Sequence, residues 1–199
     1  MFRVINFLLC LVPMTLLATD LVFGRSGPDV VSYIMHETGD ATFLMLILAL
    51  SMSPLRQTSG LKVFLQLRRQ MGLFAFFYAS LHAASYLYFY IDIGWIYLKL
   101  EILKRPYIIL GFLCWLLLLP LAVTSTHYHQ KMFGVYWSVL HKFIYLASIF
   151  ACLHVYLQVR SDFTKAIAFS TVVLFLLAWR IHRRFFSIDL WLQRSKNLT

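Results

Sequence analysis

The sequence predicts an all-α fold, a polytopic membrane bundle of six transmembrane helices with both termini in the cytoplasm. Of the 199 residues, 61% are hydrophobic and only 13% are charged, whereas soluble domains are about half apolar and about a quarter charged. The apolar residues fall into blocks of roughly 15–22, close to the length that crosses a hydrocarbon core about 30 Å thick. Basic residues collect beside one set of block ends, which indicates the orientation in the membrane.

Six apolar blocks, taken in order, are the predicted helices. The first follows Arg3 and is similar to a signal peptide, but its apolar run is longer than usual and no small-x-small cleavage site follows, which favours a retained helix. The second is short and needs the flanking residues from Met35 to Asp40 to reach across. The six blocks are Val4–Phe23, Ala41–Leu55, Gly72–Ile91, Pro106–Val123, Tyr136–Val159 and Ala166–Ile181. Residues 1–199 are expected to form a single domain, because no repeat or long linker divides them.

Charge predicts the orientation of the bundle. Twelve of the 18 Lys and Arg residues and one of the eight Asp and Glu residues lie beside the side that holds both termini. The opposite side carries six basic and seven acidic residues. Since positive residues stay in the cytoplasm, both termini are predicted to be cytoplasmic. The net charge of +10 therefore indicates topology and contact with anionic membrane lipids, not nucleic-acid binding.

Three histidines lie within predicted spans, His82 in the third and His141 and His154 in the fifth. A bilayer tolerates ionisable side chains only where something buried uses them. Histidine is an axial ligand of haem iron, and histidines on two facing helices can hold a porphyrin between them. The alternative is that they form hydrogen bonds between helices. Three intramembrane histidines on two helices favour a bound cofactor.

Cysteine usage indicates how such a haem is held. The three cysteines, Cys10, Cys114 and Cys152, all fall within predicted helices and no two are close in sequence. No Cys-x-x-Cys-His motif is present, so a haem would be bound non-covalently, and no Cys-x-x-Cys pair indicates a dithiol or zinc site. The cysteines are expected to be small core residues.

The spacing of the histidines bears on whether one haem or two is bound. His141 and His154 are about 20 Å apart along a helix, a separation suited to two haems stacked across a membrane. Thirteen residues at about 100° each leave their rings about 140° apart in azimuth. A local tightening or bend is therefore needed for both to face the bundle interior. His82 lies near the middle of its helix and can pair with His154, so one bis-histidine haem is favoured over two.

Other polar side chains near the predicted spans leave alternatives open. Ser85 or a tyrosine at position 78 or 86 shares the helical face of His82 and is a candidate partner for its imidazole. His36, at the predicted periplasmic edge, is a reserve ligand or an interfacial residue. The remaining histidines, His127, His129 and His182, are expected to be solvated.

Two basic pairs precede apolar blocks. Arg68-Arg69 is expected to open the third helix, and Lys104-Arg105 comes before Pro106, which begins the fourth. A helix N-terminus attracts anions, and adjacent guanidinium groups strengthen that attraction. The anions are haem propionates, a flavin phosphate or lipid headgroups.

Short motifs occur in a specific order through most of the chain. They are His36-Glu37-Thr38-Gly39, Arg68-Arg69-Gln70-Met71-Gly72-Leu73, Leu81-His82-Ala83-Ala84-Ser85-Tyr86, Lys104-Arg105-Pro106-Tyr107-Ile108, Leu121-Ala122-Val123-Thr124-Ser125, Trp137-x-x-Leu140-His141 with Tyr145, and His154. Together they resemble the MsrQ (YedZ) family, haem-binding membrane subunits of bacterial periplasmic methionine sulfoxide reductase systems within the ferric-reductase-like transmembrane group.

The resemblance implies a multi-pass protein of the bacterial inner membrane. It implies haem b, one or two, ligated by His82, His141 and His154, and an FMN. It also implies electron delivery to a periplasmic molybdopterin-dependent catalytic subunit that reduces methionine sulfoxide in proteins.

The chain contains no G-x-G-x-x-G or comparable phosphate-binding loop, and 18 residues follow Ile181. It is therefore not expected to take hydride from a nicotinamide by itself. Electrons are expected to come from the quinone pool or a separate flavin reductase and to leave to a separate protein, with no catalytic residue or substrate site in this chain. Two alternatives stay open: a self-sufficient haem reductase of ferric iron or oxygen, and a non-redox membrane protein that binds a transition metal.

Overall fold

Helices make up all the regular structure in the described part of the chain, as the sequence predicts. The computed structural model describes residues 2–91 and 95–196, with side chains at all of these except 95–98, 100 and 184–196. No strand occurs among these residues. The helices are α1 (Phe2–Val22), α2 (Val30–Ser59), α3 (Val63–Phe89), α4 (Trp95–Lys104), α5 (Pro106–Val123), α6 (His127–Phe133), α7 (Val135–Leu140), α8 (Phe143–Gln158) and α9 (Thr164–Lys196).

Five segments of the described residues are long and apolar enough to cross a membrane. They are α1, α2, α5, residues 135–158 across α7 and α8, and residues 164–183 of α9. Large apolar side chains stay exposed on them, for example Leu8 at 59% and Phe175 at 63%. Lipid tails are as apolar as leucine, so this exposure carries no cost in a bilayer. The chain is thus a membrane protein, although α3 is not among the five segments because its tyrosines, serines and histidine lower its mean hydropathy.

The bundle is built from two extensively packed helix pairs, α2 with α3 and α5 with α8. Both pairs are antiparallel. The α3 helix also runs antiparallel to α5, since Trp115 donates to Ser80 at 2.9 Å near one end and Arg69 donates to Ser125 at 3.1 Å near the other. The core therefore lies between α2, α3, α5 and α8, where Leu50 is among the fully buried side chains.

The outer helices are fixed by specific contacts. On one side, α9 lies along α2, where Lys165 pairs with Asp40 at 2.6 Å and Phe169 stacks on Phe43 at 5.2 Å. On the other side, α1 lies along α3. The hydroxyl of Tyr78 donates to the carbonyl of Cys10 at 2.7 Å and accepts from the amide of Met14 at 3.2 Å.

The hydrogen bonds of Tyr78 to α1 lie next to a proline inside that helix. Pro13 stands inside the helix, where it lacks an N–H and its ring crowds the preceding turn. Cys10 and Met14 are separated by four residues, so they form one rung of the helical hydrogen-bond ladder. The phenol of Tyr78 satisfies both of these groups from α3, which couples α1 to the core.

Three of the predicted boundaries are wrong because a helix continues beyond the apolar block that crosses the membrane: α2 and α3 begin earlier than predicted, and α9 continues past Ile181 to Lys196. The α2 helix begins at Val30, where Asp29 caps it by accepting from Ser32 at 2.9 Å, so the flank from Met35 to Asp40 is helical as expected. The α3 helix begins at Val63, nine residues before Gly72. Arg68 and Arg69 consequently lie inside α3 and not at its N-terminus, since the Gln, Leu and Arg residues there favour helix.

Two predicted loops contain helices. Residues 95–104 form α4, and residues 127–133 form α6, where Thr126 caps the helix by accepting from His129 at 3.3 Å. The first predicted periplasmic loop, 17 residues in the sequence prediction, is reduced to residues 23–29 between α1 and α2.

The predicted fifth helix is interrupted at His141 and Lys142, between α7 and α8. Lys142 donates to Val139 and Tyr145 donates to Lys142, both at 3.0 Å and both three residues back. These are 3₁₀-type bonds, which turn the chain by more degrees per residue than an α-helix. The structure therefore contains a local tightening at the start of α8, between His141 and His154.

Charged side chains divide between the two ends of the bundle. The ion pairs among the described side chains are Asp20 with Arg25 at 3.8 Å, Glu101 with Arg105 at 3.0 Å, and Asp40 with Lys165 at 2.6 Å. All three lie at the end that the charge pattern predicts to be periplasmic. Asp92, Arg184, Asp189, Arg194 and Lys196, which contribute to that pattern, lie outside the described side chains.

Replacing Tyr78 with phenylalanine tests how α1 is held. The variant leaves the carbonyl of Cys10 and the amide of Met14 without their side-chain partner, and we expect a loss of about 1–3 kcal/mol in the free energy of unfolding. The measurement is the apparent thermal midpoint of the purified protein. Tyr156→Phe, at a side chain 54% exposed, is the control. Equal midpoints for the two variants would contradict this account of α1.

Candidate functional site

The fold brings together two histidines that are 72 residues apart in sequence. The rings of His82, on α3, and His154, on α8, have centres 6.1 Å apart and planes at 89° to each other. Both side chains lie between the helix pairs and are largely buried. The antiparallel pairing of α2 with α3 and of α5 with α8 puts them at the same level in the bundle.

Each ring is oriented by a backbone carbonyl of the helix beside it. The Nδ1 of His82 lies 3.0 Å from the carbonyl oxygen of Met35 and 3.3 Å from the hydroxyl of Thr38. The Nδ1 of His154 lies 2.6 Å from the carbonyl oxygen of Tyr107. A carbonyl oxygen only accepts, so Nδ1 carries the proton in each ring and Nε2 is the nitrogen with a free lone pair. This is the arrangement of metal-binding histidines.

Two glycines make these hydrogen bonds possible. Gly39 follows Met35 by four residues on α2, and Gly111 follows Tyr107 by four residues on α5. A Cβ atom at position 111 would lie 2.7 Å from Nδ1 and 2.8 Å from Cε1 of His154, and one at position 39 would lie 3.4 Å from Cε1 of His82. The imidazole of His154 thus occupies the space of a missing side chain, whereas a Cβ at position 39 would only touch the ring of His82. The same local arrangement of histidine, carbonyl and glycine occurs twice.

The separation of the two rings fits two axial ligands of one iron. An imidazole nitrogen binds a first-row transition metal at about 2.0 Å, and the ring centre lies roughly 1.15 Å further, so rings on opposite sides of one ion have centres about 6.3 Å apart. The observed 6.1 Å is close to this value. Haem iron needs only two ligands from the protein. Among the described residues, no group of three or more His, Cys, Asp or Glu side chains is placed to hold a metal ion.

A polar group near the histidine pair also fits a haem. The hydroxyl of Tyr86, one turn after His82 on α3, is buried and has no hydrogen-bond partner among the described residues. Arg105 and Glu101 lie near enough to act on it electrostatically. Phenol and guanidinium groups are suitable donors for propionate carboxylates.

Arg105 stands at the start of α5, as predicted. It is the N-cap residue, Pro106 is the first helical residue, and Lys104 ends α4. A hydrogen bond with Tyr107, together with the negative charge of Glu101, raises the pKa of the Arg105 guanidinium. Arg105 therefore remains a cation beside the site at every physiological pH.

His141, the third intramembrane histidine, has a different environment. Its ring stacks on Trp137 with centres 3.9 Å apart, and its Nδ1 lies 3.1 Å from the carbonyl oxygen of the same residue. The indole of Trp137 in turn donates to the carbonyl of Thr124 at 2.9 Å. The structure places no other described histidine ring against His141.

The remaining predicted site residues are dispersed. His36 and His127 are exposed, whereas His129 is half-buried and belongs to the cap of α6 through Thr126 at 2.6 Å. The imidazole of His82 takes its hydrogen-bond partners from α2. Ser85 and the tyrosines of its own helix are therefore not its partners.

Arg180 is a polar residue of the membrane region that the sequence analysis did not single out. Its guanidinium donates to the carbonyl of Leu50 at 2.6 Å and lies 4.9 Å from the ring centre of Tyr145. Its second terminal nitrogen is buried without a hydrogen bond to any described residue. Arg68 is close enough to interact with both Arg180 and His141. The signal that could have found Arg180 is a charge at the end of an apolar run.

Comparison with known proteins shows the family to which the chain belongs. The sequence profile of the family described as ferric reductase like transmembrane component matches residues 38–152. A relative from Xanthomonas campestris pv. campestris (strain 8004), the protein-methionine-sulfoxide reductase heme-binding subunit MsrQ, is 40% identical over 158 residues, covering 79% of this chain and 72% of the relative. The protein with the same name from Herminiimonas arsenicoxydans is 36% identical over 196 residues, covering 96% and 86%. No solved structure matches the chain significantly.

Substitution of Gly111 by alanine tests the geometry of the pair. The new Cβ would come within 2.7 Å of His154, so the ring must move, and we expect haem affinity to fall about tenfold or more, as with other groups that orient a metal ligand. The measurement is haem per chain and the spectrum after dithionite reduction. Gly39→Ala, with 3.4 Å available, should have a smaller effect, and Gly72→Ala, with nothing within 4 Å, should have none. Full haem retention in Gly111→Ala would contradict this geometry.

Proposed function

We propose that this chain, which belongs to the MsrQ family of ferric-reductase-like transmembrane proteins, is a membrane cytochrome b that supplies electrons to a methionine sulfoxide reductase. The observation that carries the proposal is the His82–His154 pair, with its 6.1 Å separation and its two carbonyl-bound Nδ1 atoms. The relatives are named as haem-binding subunits. The pair supports the proposal that this chain binds the same cofactor.

In this proposal the Nε2 atoms of His82 and His154 ligate one haem b. The carbonyls of Met35 and Tyr107 hold the rings in orientation, and Arg105 with Tyr86 binds propionates. Bound haem b supplies a one-electron carrier whose potential depends on its axial ligands and their hydrogen bonds. His141 is the candidate ligand of a second haem.

The position of the histidine pair is explained best if the bundle has six membrane spans, with α3 as one of them. The α3 helix lies antiparallel to both α2 and α5, and each of those two helices is apolar enough to cross. A helix packed along both of them crosses the same layer, and its Tyr78, Ser80 and His82 make contacts within the bundle. We propose six spans in one ferric-reductase-like domain, with both termini in the cytoplasm of a bacterium and the chain in its inner membrane.

The proposed acceptor lies in the periplasm. Tyr107 is the second residue of α5 and Met35 the sixth residue of α2, so the histidine pair lies near the acidic end of the bundle. A haem held there is close to the surface on the periplasmic side of the proposed topology. We propose that a periplasmic molybdopterin-dependent methionine sulfoxide reductase docks at that end and that this chain contributes no catalytic residue to the reduction.

The proposed donor is the quinone pool or a cytoplasmic flavin reductase. Arg68 and Arg69 lie at the opposite, basic end of α3, where Arg69 is held by Ser125 at 3.1 Å. We propose that this pair binds an anionic cofactor group, the phosphate of FMN or a propionate of a cytoplasmic-side haem. Lipid headgroups are the alternative anions for the same pair.

Histidine substitutions test the ligation. His82→Ala or His154→Ala should abolish most of the low-spin haem spectrum, because a single remaining imidazole leaves the iron five-coordinate or the site empty. His141→Ala should change the spectrum less if one haem is bound, and should remove a distinct haem if two are bound. Reduced-minus-oxidised spectra and haem quantitation are the measurements. Unchanged spectra in both of the first two variants would remove the proposal.

A reoxidation experiment tests the role as an electron conduit. After reduction by dithionite and removal of excess reductant, the haem should be reoxidised by a purified periplasmic methionine sulfoxide reductase together with its substrate. Free methionine sulfoxide alone should not reoxidise it, since no substrate site is proposed in this chain. The measurement is the decay of the reduced spectrum under anaerobic conditions. If the purified chain reduced methionine sulfoxide without a partner, the conduit proposal would be wrong.

A further inference from the structure

A cavity lies between α1, α2 and α3 next to the histidine pair. Its volume is about 160 Å³, and most of its lining is apolar, including Pro13 and Leu17 of α1 and Ala41 of α2. Thr38 also lines it, and the hydroxyl of Thr38 lies 3.3 Å from Nδ1 of His82. One side chain therefore separates the cavity from the imidazole.

Two polar groups in the cavity wall have no partner in the described part of the chain. Glu37 and Ser85, both half-buried, line the cavity, and neither side chain makes a hydrogen bond or an ion pair to a described residue. The hydroxyl of Tyr78, also in the lining, is instead bonded to α1. A mostly apolar cavity with a few convergent polar groups is the usual form of a small-molecule site.

We propose that this cavity binds the ring of a membrane hydroquinone, with Glu37 accepting a hydrogen bond from a ring hydroxyl and Ser85 bonding a second ring oxygen. The inference rests on the proposed function, in which the quinone pool is one candidate donor. The volume limits the occupant to one ring, since an apolar cavity of about 150 Å³ admits benzene; the substituents of a larger ring would have to lie outside the cavity. A lipid acyl chain would satisfy the apolar wall but would leave the carboxylate and hydroxyl without a partner.

The location of the cavity suits a hydroquinone, because it lies beside both the bilayer and the proposed haem ligand. The α1 wall belongs to a helix whose outer side chains are exposed on the outside of the bundle, so an isoprenoid tail can remain in the bilayer. Glu37 lies on the same helix as Met35, near the acidic end. The hydroquinone ring would consequently bind beside His82, the proposed haem ligand, and Glu37 would be its hydrogen-bond acceptor.

Calorimetric titration of the haem-loaded chain in nanodiscs tests the proposal. Ubiquinol-1 is added to dithionite-reduced protein, so that the probe is not consumed, and ubiquinone-1 is added to oxidised protein. Glu37→Gln should weaken ubiquinol-1 binding about tenfold, because a charge-assisted hydrogen bond is lost. It should change ubiquinone-1 binding less, because the amide can donate to a quinone carbonyl. Ala41→Phe, which fills the cavity, should abolish binding of both probes.

Asp40→Asn is the matched control, because Asp40 is on the same helix, pairs with Lys165 and does not line the cavity. It should leave both affinities unchanged. The haem spectrum of every variant is recorded separately, and only variants with an intact spectrum are compared. Absence of haem from the unmodified chain would count against the proposed function and not against the cavity. Equal ubiquinol-1 affinity in the unmodified chain, Glu37→Gln and Ala41→Phe, or no binding to the unmodified chain, would overturn the inference.

Discussion

The structure depends on a hydrogen bond from a buried imidazole to a helix carbonyl, made twice. A carbonyl oxygen inside a helix already accepts from the amide four residues later, but it has a second lone pair. An imidazole can reach that lone pair only if the residue four positions later has no side chain in the way. Gly111 meets this requirement strictly, and Gly39 leaves the ring of His82 the same open approach with more room to spare. The hydrogen bonds then fix the protonated nitrogen of His82 and His154 and leave the other nitrogen available to a metal.

This constraint also decides how the helices pack. The glycines allow α2 to approach the ring on α3, and α5 to approach the ring on α8, and these are the two most extensively packed pairs. Small residues at helix interfaces are the usual means of close packing in membranes, where lipid and side chain are equally apolar. Each histidine is consequently held by two helices, and the pair by four. Such support suits a redox site, because a fixed ligand geometry limits rearrangement when the charge of the iron changes.

Much of the fold, and the histidines that are candidates for the site, could be predicted from the sequence. Apolar block length predicted an all-helical membrane protein. Ionisable residues within the blocks predicted His82, His141 and His154 as site residues, of which the structure brings the rings of His82 and His154 to 6.1 Å and leaves His141 apart. The azimuthal mismatch of His141 and His154 favoured one haem over two, and the structure has a turn at Lys142 between these histidines. Helix positions could be predicted because the hydropathy of a segment is a local property of the sequence.

Other features could not be predicted because they depend on contacts between distant residues. Hydropathy marks the membrane-crossing part of a helix and not its ends, so Arg68 and Arg69 were expected at a helix start and lie inside α3. Gly39 and Gly111 carry no signal of their own until the histidines that approach them are known. The cavity beside His82 is formed by three helices and has no counterpart in any single segment.

The central claim is that His82 and His154 are the two axial ligands of one haem, with their ring planes nearly perpendicular. Electron paramagnetic resonance of the purified ferric protein tests it most directly, because perpendicular imidazole planes give a highly anisotropic low-spin signal and parallel planes give an ordinary rhombic one. The 89° between the rings predicts the highly anisotropic signal. A high-spin ferric signal, or the absence of bound haem in protein shown to be folded, would contradict the claim.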